Sequence, residues 1–352
     1  MVGCRSHAST NPAGKLEKEV PICHNHMNLF HRRPLVDRTE HVGRRLKLRD
    51  LQLLEAVVRW GSIAKAARQL NLTQSAASKA ISQLEHAIGA RLLDRDSRGV
   101  EPTLYGHSLL RRALAIFDEL RQGVKEIEFL ADPTAGEVSV GCPEANAAGL
   151  LPAVIQRLRR KYPGIVCEAV WMPPAVSLQF RELRQRRVDL ILARFLDSEA
   201  DDDLNTEFLF HDPVRVVAGE GSKWLRRRRI ELSELLDEPW ILTPPDSLPS
   251  SQVREAFSSK GLDVPRASVV STSIHIVNRL LPNGNYLTAI PESVLRFGPM
   301  GAKIRALRVD FPARPRPTAI VTLKNRTISP AADLFIEAAR AVAKPLANVL
   351  SK

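Results

Sequence analysis

Apolar residues recur with helical spacing in three consecutive stretches that begin near residue 48. The first stretch, residues 48–58, predicts an amphipathic helix that ends at Gly61. In the second stretch, residues 63–70, apolar residues stand at i, i+3, i+4 and i+7, and Ser62 is placed as the N-cap. The pattern stops at residues 71–72, so we expect a turn before the third stretch.

The third stretch, residues 73–88, carries different chemistry on its two faces, and Thr73 is placed to cap it. The inner face is apolar and consists of Ala77, Ile81, Leu84 and Ile88. The outer face consists of short polar groups and one cation, namely Ser75, Ser78, Lys79 and Ser82, with Gln74 at the helix start. A helix with such a face fits a DNA major groove, so the pair predicts a helix-turn-helix motif. The polar residues of this face, together with the capping residues Ser62 and Thr73, are the expected DNA contacts. The alternative is a small-residue helix pair in another all-helical core.

A short two-stranded wing is predicted after this helix pair. Residues 89–103 contain two glycines, a proline and three arginines, a composition typical of a tight hairpin. Arg91, Arg95 and Arg98 would then reach phosphates or a minor groove.

One long helix is predicted from Thr103 to about Ala131, where residues 132–136 break the pattern. Its apolar positions alternate spacings of four and three, which is typical of a seam between two helices. They are Leu109, Ala113, Ile116, Leu120, Gly123, Ile127 and Leu130, flanked by Leu110, Phe117 and Val124. We therefore expect a dimerising linker helix, while a core helix with the same stripe is the alternative.

Past Gly136 the chain alternates strands and helices. Strands are predicted at 138–141, 165–170, 188–193, 214–218, 240–243, 268–270, 286–290 and 317–324. Helices lie between them, including 147–161, about 177–187 and 331–344. This alternation predicts two small α/β lobes.

Composition agrees with a DNA-binding protein of two or three domains. The chain has 352 residues and a formal net charge of +12. Basic residues outnumber acidic ones locally in residues 59–98, which supplies the positive patch that a phosphate backbone needs. The basic residues there are Arg59, Lys65, Arg68, Lys79, Arg91, Arg95 and Arg98, against Glu85, Asp94 and Asp96.

The cysteines exclude a disulfide scaffold and give no metal motif, because Cys4, Cys23, Cys142 and Cys167 form no CxxC pair. The sequence shows no secretory signal and no apolar run of membrane length, so we expect a reducing cytoplasm and no membrane partner. Residues 1–45 lack periodicity and are expected to form a flexible extension, with Met27 as an alternative start. A cluster of Cys23, His24, His26, His31 and His7 lies there, but no metal site is predicted from it.

A characteristic order of residues runs from the end of the third helix through the wing: Leu84-Glu85, then Gly89, Arg91-Leu-Leu-x-Arg95, Arg98-Gly99, Thr103 and Gly106. With this order, the chain from residue 45 onward resembles the LysR-type transcriptional regulators. Three positions depart from the usual pattern: Ile63 and Leu93 stand where phenylalanine is common, and Pro102 where leucine is common. The first two swaps keep buried positions apolar.

The resemblance implies an α/β fold class with an N-terminal winged helix-turn-helix, a long linker helix and a two-lobed domain like that of periplasmic binding proteins. It also implies a ligand held between the lobes, with chain crossings near 209–213 and 307–317, and a tetramer of two DNA-binding dimers. The expected domains are an extension (1–45), a DNA-binding domain (46–103), a linker helix (104–133) and an effector-binding domain (134–345). Within the last, lobe one would comprise about 136–209 and 317–345, and lobe two about 210–316.

Ligands of open α/β sheets bind at the carboxyl ends of the strands, which locates the expected effector site. The residues expected there are Cys142, Glu144, Asn146, Met172, Arg194, Thr243, Ser271 and Ser273. Related regulators often have Ser or Thr at the first helix start to hold a carboxylate. Glu144 stands there instead, which favours a neutral or hydroxyl-rich effector such as a sugar or an aromatic compound. Alternatively, Glu144 only stabilises its own helix.

No catalytic motif is present in the sequence: there is no Gly-x-Ser-x-Gly elbow, no phosphate-binding glycine loop and no His/Cys/carboxylate cluster at a strand end. The chain is therefore expected to be no enzyme and to need no cofactor. Its expected partners are promoter DNA, a small-molecule effector and further copies of itself as a dimer or tetramer, with RNA polymerase as a further candidate. The alternatives are a cytoplasmic small-molecule binder or an α/β enzyme, each with a non-functional DNA-binding head.

Overall fold

The computed structural model describes residues 46–96, 99–173, 175–194, 201–282, 285–298 and 303–350. The N-terminal segment 1–45, with its Cys and His residues, and the predicted DNA contact Arg98 lie outside the described residues. The helices are α1 (Leu48–Trp60), α2 (Ile63–Gln69), α3 (Gln74–Ile88), α4 (Leu104–Ala131), α5 (Glu144–Ala148), α6 (Leu150–Lys161), α7 (Val176–Arg184), α8 (Leu248–Ser259), α9 (Ile274–Leu280), α10 (Glu292–Phe297) and α11 (Pro330–Leu350). The strands are β1 (Leu93–Asp96), β2 (Gly99–Pro102), β3 (Ala135–Cys142), β4 (Gly164–Trp171), β5 (Leu190–Arg194), β6 (Leu204–Asp212), β7 (Val214–Gly219), β8 (Trp240–Leu242), β9 (Ala267–Val270), β10 (Leu287–Pro291), β11 (Ile304–Ala306) and β12 (Arg316–Leu323).

Helices α1 to α3 pack around one apolar core, as the helical periodicity predicts. Both predicted caps are confirmed. Ser62 Oγ accepts a hydrogen bond from Lys65 N (3.4 Å) at the start of α2, and Thr73 Oγ1 accepts one from Ala76 N (3.2 Å) at the start of α3. Asn71 adopts a left-handed conformation with φ 54°, which turns the chain between the two helices.

The predicted wing is confirmed as the antiparallel pair β1 and β2. One carboxylate oxygen of Glu85, on α3, fixes where the wing begins. Glu85 Oε1 accepts hydrogen bonds from Leu92 N (2.8 Å) and Leu93 N (3.2 Å). Because a carboxylate acceptor strengthens such bonds, the recognition helix and the wing are held in a defined relative position.

Thr103 and Gly106 connect the wing to α4. Thr103 Oγ1 donates a hydrogen bond to Arg91 O (2.8 Å) and accepts one from Gly106 N (3.1 Å), so it closes the wing and caps α4. A Cβ atom on Gly106 would lie 2.0 Å from Leu92 O, so only glycine permits this close approach. Several residues that carry the family resemblance thus hold the wing in place.

Helix α4 presents opposite faces to solvent and to the α/β domain. Its apolar stripe begins within the DNA-binding domain, where Leu109 packs on the helical core and Ala113 is buried. Farther along, the stripe is exposed from Ile116 to Leu130. On the other face Asp118 and Gln122 are buried.

A buried ion network joins α4 to lobe one, which comprises β3 to β6, β12, α5 to α7 and α11. The Arg326 guanidinium binds both oxygens of Asp118, with Nε–Oδ2 and Nη2–Oδ1 distances of 2.8 and 2.9 Å. The same guanidinium donates to Asp189 Oδ1 (2.8 Å), and Arg186 donates to Asp118 Oδ2 (2.5 Å). Burial raises the pKa of Asp118, but the hydrogen bonds and charges of Arg326 and Arg186 outweigh it and hold that pKa below its usual value.

Lobe one contains a five-stranded sheet in the order β4, β3, β5, β12, β6. Strands β3, β4 and β5 are parallel, and β12 runs antiparallel to both β5 and β6. Helices α6 and α11 cover one face with the larger part of the apolar core. A smaller apolar cluster, which includes Phe180 and Leu183 of α7, covers the other face.

Lobe two, residues 214–306, contains a second five-stranded sheet in the order β11, β7, β10, β8, β9. Strands β8, β9 and β10 are parallel, while β7 is antiparallel to β10 and β11. The chain enters this lobe at Pro213, directly after β6, and returns through residues 307–315 to β12. Among the described residues no helix is long and apolar enough to cross a membrane.

The predicted strands of the α/β region are all present. The predicted helix 147–161 is divided at Gly149 into α5 and α6, and only two short 3-10 helices, Lys223–Arg226 and Leu232–Leu235, lie between β7 and β8. Two strands were not predicted. Strand β6 was assigned only in part, as a crossing, and β11 was not assigned at all. Strand β6 alternates buried and exposed residues irregularly, and β11 has only three residues. Neither therefore has a clear period-two pattern.

Candidate DNA-reading surface and effector cleft

Helix α3 turns a polar face to solvent. Gln74, Ser75, Lys79 and Ser82 are exposed, and Ser78 is half-buried. These are the residues predicted from the sequence for DNA contact. Two further polar residues on the exposed side, Gln83 and His86, were not predicted, although they stand four residues beyond Lys79 and Ser82.

The remaining predicted DNA contacts differ in how free their side chains are. Ser62 and Thr73 use their hydroxyl oxygens to cap helices, which leaves the Ser62 hydroxyl proton for an outside acceptor, while Thr73 Oγ1 also lies 3.1 Å from Ser75 Oγ. On the wing, Arg91 and Arg95 are exposed. Their guanidinium groups are therefore accessible to a phosphate backbone.

An apolar strip on α4 faces solvent. It consists of Ile116 (41% exposed), Leu120 (52%), Val124 (55%), Ile127 (68%) and Leu130 (74%). Exposed apolar residues with this spacing are typical of a helix that packs on another helix.

Between the two lobes lies a cavity of about 120 Å³. Its walls come from both sheets at the carboxyl ends of their strands, where the rule for open α/β sheets predicts a ligand. Apolar side chains form most of the wall: Pro143, Ala145, Trp171, Met172, Leu248, Pro249, Ile274, Val277, Ala289, Ile290, Pro291 and Val294. The polar lining residues are Glu144, Asn146, Gln179, Arg194, Thr243, Ser247, Ser271, Thr272 and Thr288.

Six of the eight residues expected at the effector site line this cavity, namely Glu144, Asn146, Met172, Arg194, Thr243 and Ser271. Ser273 does not line the cavity: in this segment the wall is formed by Ser271, Thr272 and Ile274. Cys142 does not either. It belongs to the face of β3 that also carries Val138 and Val140, and it packs in the core of lobe one.

Burial makes both described cysteines unreactive. It raises the pKa of the Cys142 thiol to about 12 and that of Cys167 to about 11. Thiolates are the reactive form, so these groups are inert near neutral pH.

Arg194 lies at the base of the cavity and is paired from both lobes. It donates to Asp212 O (3.1 Å) and to Gln252 Oε1 (2.9 Å), the latter on α8 of lobe two. Its Nε atom is 3.9 Å from Asp212 Oδ2. Burial lowers the pKa of Arg194 and raises that of Asp212, and the attraction between the two charges opposes both shifts.

Asp212 also binds the start of α10. Its two carboxylate oxygens accept hydrogen bonds from Ser293 N (3.1 Å) and Ser293 Oγ (2.6 Å). Helix α10 packs closely on lobe one, since a Cβ atom on Gly149 would lie 3.2 Å from Ser293 O. The crossing from lobe one to lobe two is therefore anchored by buried polar contacts.

Glu144 links the two lobes directly. It is the first residue of α5 in lobe one, yet its Oε1 accepts a hydrogen bond from Ile274 N (3.2 Å) at the start of α9 in lobe two. The sequence favoured a contact with its own helix or an effect on the ligand. A partner 130 residues away in the sequence was not predicted.

Gln179 is the main polar residue of the cavity that the sequence analysis missed. Its side chain is buried and its Nε2 donates to Pro173 O (2.8 Å), while its Oε1 has no hydrogen-bond partner among the described residues. The strand-end rule did not indicate Gln179 because it lies inside helix α7.

Comparison with known families agrees with this architecture. The family model "LysR substrate binding domain" matches residues 131–344, and "Bacterial regulatory helix-turn-helix protein, lysR family" matches residues 48–107. The chain therefore belongs to the LysR family: it is a DNA-binding transcriptional regulator with an effector-binding domain.

Two curated relatives are similar over most of their length. The chain is 31% identical to the HTH-type transcriptional regulator GbpR of Azospirillum brasilense over 302 residues, covering 84% of this chain and 86% of GbpR. It is 26% identical to the HTH-type transcriptional regulator YdcI of Escherichia coli over 298 residues, covering 85% of this chain and 96% of YdcI.

Solved structures share the fold. A full-length OxyR cysteine variant from Pseudomonas aeruginosa has a TM-score of 0.60 at 19% identity, covering 87% of this chain and 97% of that chain. An OxyR cysteine mutant from Corynebacterium glutamicum, bound to hydrogen peroxide, has a TM-score of 0.51 at 19% identity, covering 87% of this chain and 95% of that chain. The predicted fold class is confirmed.

Proposed function

We propose that this regulator reads DNA with the outer face of α3 and grips the backbone with the wing. Gln74, Ser78 and Lys79 reach base edges or nearby phosphates, with Ser75 and Ser82 beside them. Arg91, Arg95 and Arg98 contact the backbone. The observation that carries the proposal is the exposed polar face of α3, held beside the wing by the Glu85 carboxylate. Ser62 and Thr73, at the two helix starts, would donate their hydroxyl protons to phosphates.

The exposed strip on α4 would join two copies of the chain. Two recognition helices linked in this way bind two half-sites one helical turn apart. Burial of five large apolar side chains on each helix supplies the driving force, at about 25 cal/mol per Å² of apolar surface.

A small-molecule effector would bind in the cavity between the lobes, where it touches both sheets. An effector shifts the regulator only by its different affinity for open and closed lobes, about 1 to 3 kcal/mol of coupling. The buried ion network at Asp118 makes lobe one and α4 one unit, so a movement of the lobes reaches the DNA-binding domains.

Catalysis has less support as a function of the cavity. Its described lining residues include no His, Cys or Lys, and in the described part of the chain no hydrogen bond joins one of their Ser or Thr hydroxyls to a carboxylate that could act as a base. We propose that the chain is no enzyme and that it works in the cytoplasm.

Fluorescence anisotropy with the DNA upstream of the regulator's own gene tests the DNA-reading surface. Gln74→Ala should lower discrimination between this DNA and a scrambled sequence by about 1 to 3 kcal/mol. Arg95→Ala should weaken both DNAs alike and reduce the salt slope by about 1. Gln52→Ala changes an exposed glutamine on α1 and is the matched control. Unchanged discrimination in Gln74→Ala would refute the assignment of α3.

A further inference from the structure

The positive charge of Arg194 in the effector cavity already has a negative partner within the protein, Asp212. The Arg194 guanidinium, which is buried, donates to Asp212 O and Gln252 Oε1, and the Asp212 carboxylate lies 3.9 Å from its Nε. A carboxylate ligand would have to share Arg194 with a buried carboxylate and would be repelled by it. The Nε atom still has no hydrogen-bond acceptor among the described residues, and a neutral oxygen is enough to satisfy it.

The backbone N–H of Ile274, on the lobe-two side of the cavity, also has its acceptor within the protein. Ile274 N donates to Glu144 Oε1, and Glu144 itself lines the cavity. An anionic ligand at this position would meet a negative charge at close range. A ligand that donates a hydrogen bond would instead be attracted by the carboxylate.

The remaining polar groups of the cavity match a hydroxyl group. Gln179 Oε1 is a buried acceptor without a donor in the described part of the chain, and the bond from its Nε2 to Pro173 O sets the orientation of the amide. Across the cavity, Ser271 Oγ accepts from Ser273 N (3.1 Å) and keeps its own proton to donate, whereas Gln179 requires one. Thr243 Oγ1 lies 2.7 Å from Ser247 Oγ, whose single proton is taken by Pro244 O (2.6 Å), so Thr243 donates to Ser247 and offers a ligand only an acceptor.

Size and surface limit the rest of the ligand. The cavity of about 120 Å³ is walled mainly by apolar side chains, among them Trp171 and Met172. This volume is smaller than that of the apolar protein cavity of about 150 Å³ that binds benzene, so the space admits no more than a single ring. A ligand with polar groups on all sides would leave several of them unpaired against these walls.

We propose that the cavity binds a neutral single-ring alcohol or phenol and rejects the corresponding carboxylate, with Glu144 as the residue that sets this preference. The proposal rests on the proposed function, since it concerns the ligand class of the same cavity. Gln179 accepts the ligand hydroxyl proton, and Ser271 donates to the ligand oxygen.

Isothermal titration of the full-length protein with matched pairs tests the proposal. The probes are benzyl alcohol against benzoate, 2-phenylethanol against phenylacetate, and glucose as a fully polar hydroxyl compound. We expect each alcohol to bind at least tenfold more tightly than its carboxylate partner and more tightly than glucose. Glu144→Gln keeps an oxygen for Ile274 N but removes the charge, so it should raise carboxylate affinity about tenfold. Gln179→Met keeps the size but removes the acceptor, so it should lower alcohol affinity about tenfold.

A bulky substitution in the cavity wall tests the location of the site independently of the ligand class. Thr272 is an exposed lining residue, so Thr272→Trp fills the cavity with little risk to the fold, which circular dichroism checks. It should abolish binding of the alcohols. The carboxylates could instead bind the parent as tightly as the alcohols do and lose binding in Thr272→Trp. That result would overturn the proposed ligand class but leave the cavity as the binding site. Binding that survives Thr272→Trp would refute the site itself. No binding of any alcohol at 10 mM would also overturn the proposal.

Discussion

Removal of the Asp118 carboxylate should destabilise the protein far more than removal of an exposed carboxylate with the same partner geometry. Asp118 is fully buried and receives two hydrogen bonds from Arg326, at 2.8 and 2.9 Å. Asp203 receives two from Arg184, at 2.8 and 2.7 Å, but both side chains of that pair are at least 39% exposed. The two pairs therefore differ in burial and in their further partners: Asp118 also receives a hydrogen bond from Arg186 (2.5 Å), whereas in the exposed pair it is Arg184 that has a second carboxylate, Asp201.

The expected magnitude follows from that difference. Breaking a buried ion pair leaves a charge without compensation and costs about 3 to 5 kcal/mol, whereas an exposed pair is worth about 0 to 1 kcal/mol. Arg326 keeps Asp189 Oδ1 at 2.8 Å as a second partner, so we expect the lower end, about 3 kcal/mol, for Asp118→Ala. For a domain of about 200 residues this corresponds to a fall in melting temperature of about 6 to 12 °C.

Differential scanning calorimetry of the parent, Asp118→Ala and Asp203→Ala measures the effect. Limited proteolysis of α4 shows whether the helix also separates from lobe one. The control should lose no more than about 4 °C. Equal shifts for the two variants would refute the argument that burial of the network holds α4 on lobe one.

Three further outcomes are expected. Leu120→Glu places a charge in the exposed strip of α4, so light scattering should show a folded monomer and DNA affinity should fall in parallel. A variant with the mass of the parent would contradict the proposed dimer. Gly106→Ala should lower the free energy of unfolding of the DNA-binding domain in urea by about 1 to 3 kcal/mol, because its Cβ would lie 2.0 Å from Leu92 O. Gly123→Ala is the control and should not destabilise the protein, since a Cβ there would have no atom within 4 Å. Equal stabilities of the two variants would contradict the contact. Because the folded-state pKa of Asp118 is depressed below 3.8, its contribution is complete above that pH and is lost as the pH falls through the folded value. The parent should therefore lose its stability advantage over Asp118→Ala only at pH values below 3.8, and an advantage already lost above that pH would contradict the shift.

The sequence by itself determined the secondary structure and the polar face of α3. Helical spacing assigns each residue of an amphipathic helix to a face, so Ala77 and Ile81 were predicted to be buried and Lys79 to be exposed. Caps are similarly local, since Ser62 and Thr73 bind backbone groups three residues away. Such interactions depend on neighbours in the chain and need no knowledge of the tertiary fold.

The tertiary structure decided which side chains face the effector cavity and how they are paired. Strand alternation separates the two faces of β3, but only packing of α6 and α11 shows that Cys142 lies on the core side. Glu144 and Asp118 have partners 130 and 208 residues away, on elements brought together by the closure of the lobes and the docking of α4. Glu144 indicated a neutral ligand from the sequence. Because burial and long-range pairing set the charge balance of a cavity, the parts of Arg194 and Gln179 in that preference could be argued only from the folded chain.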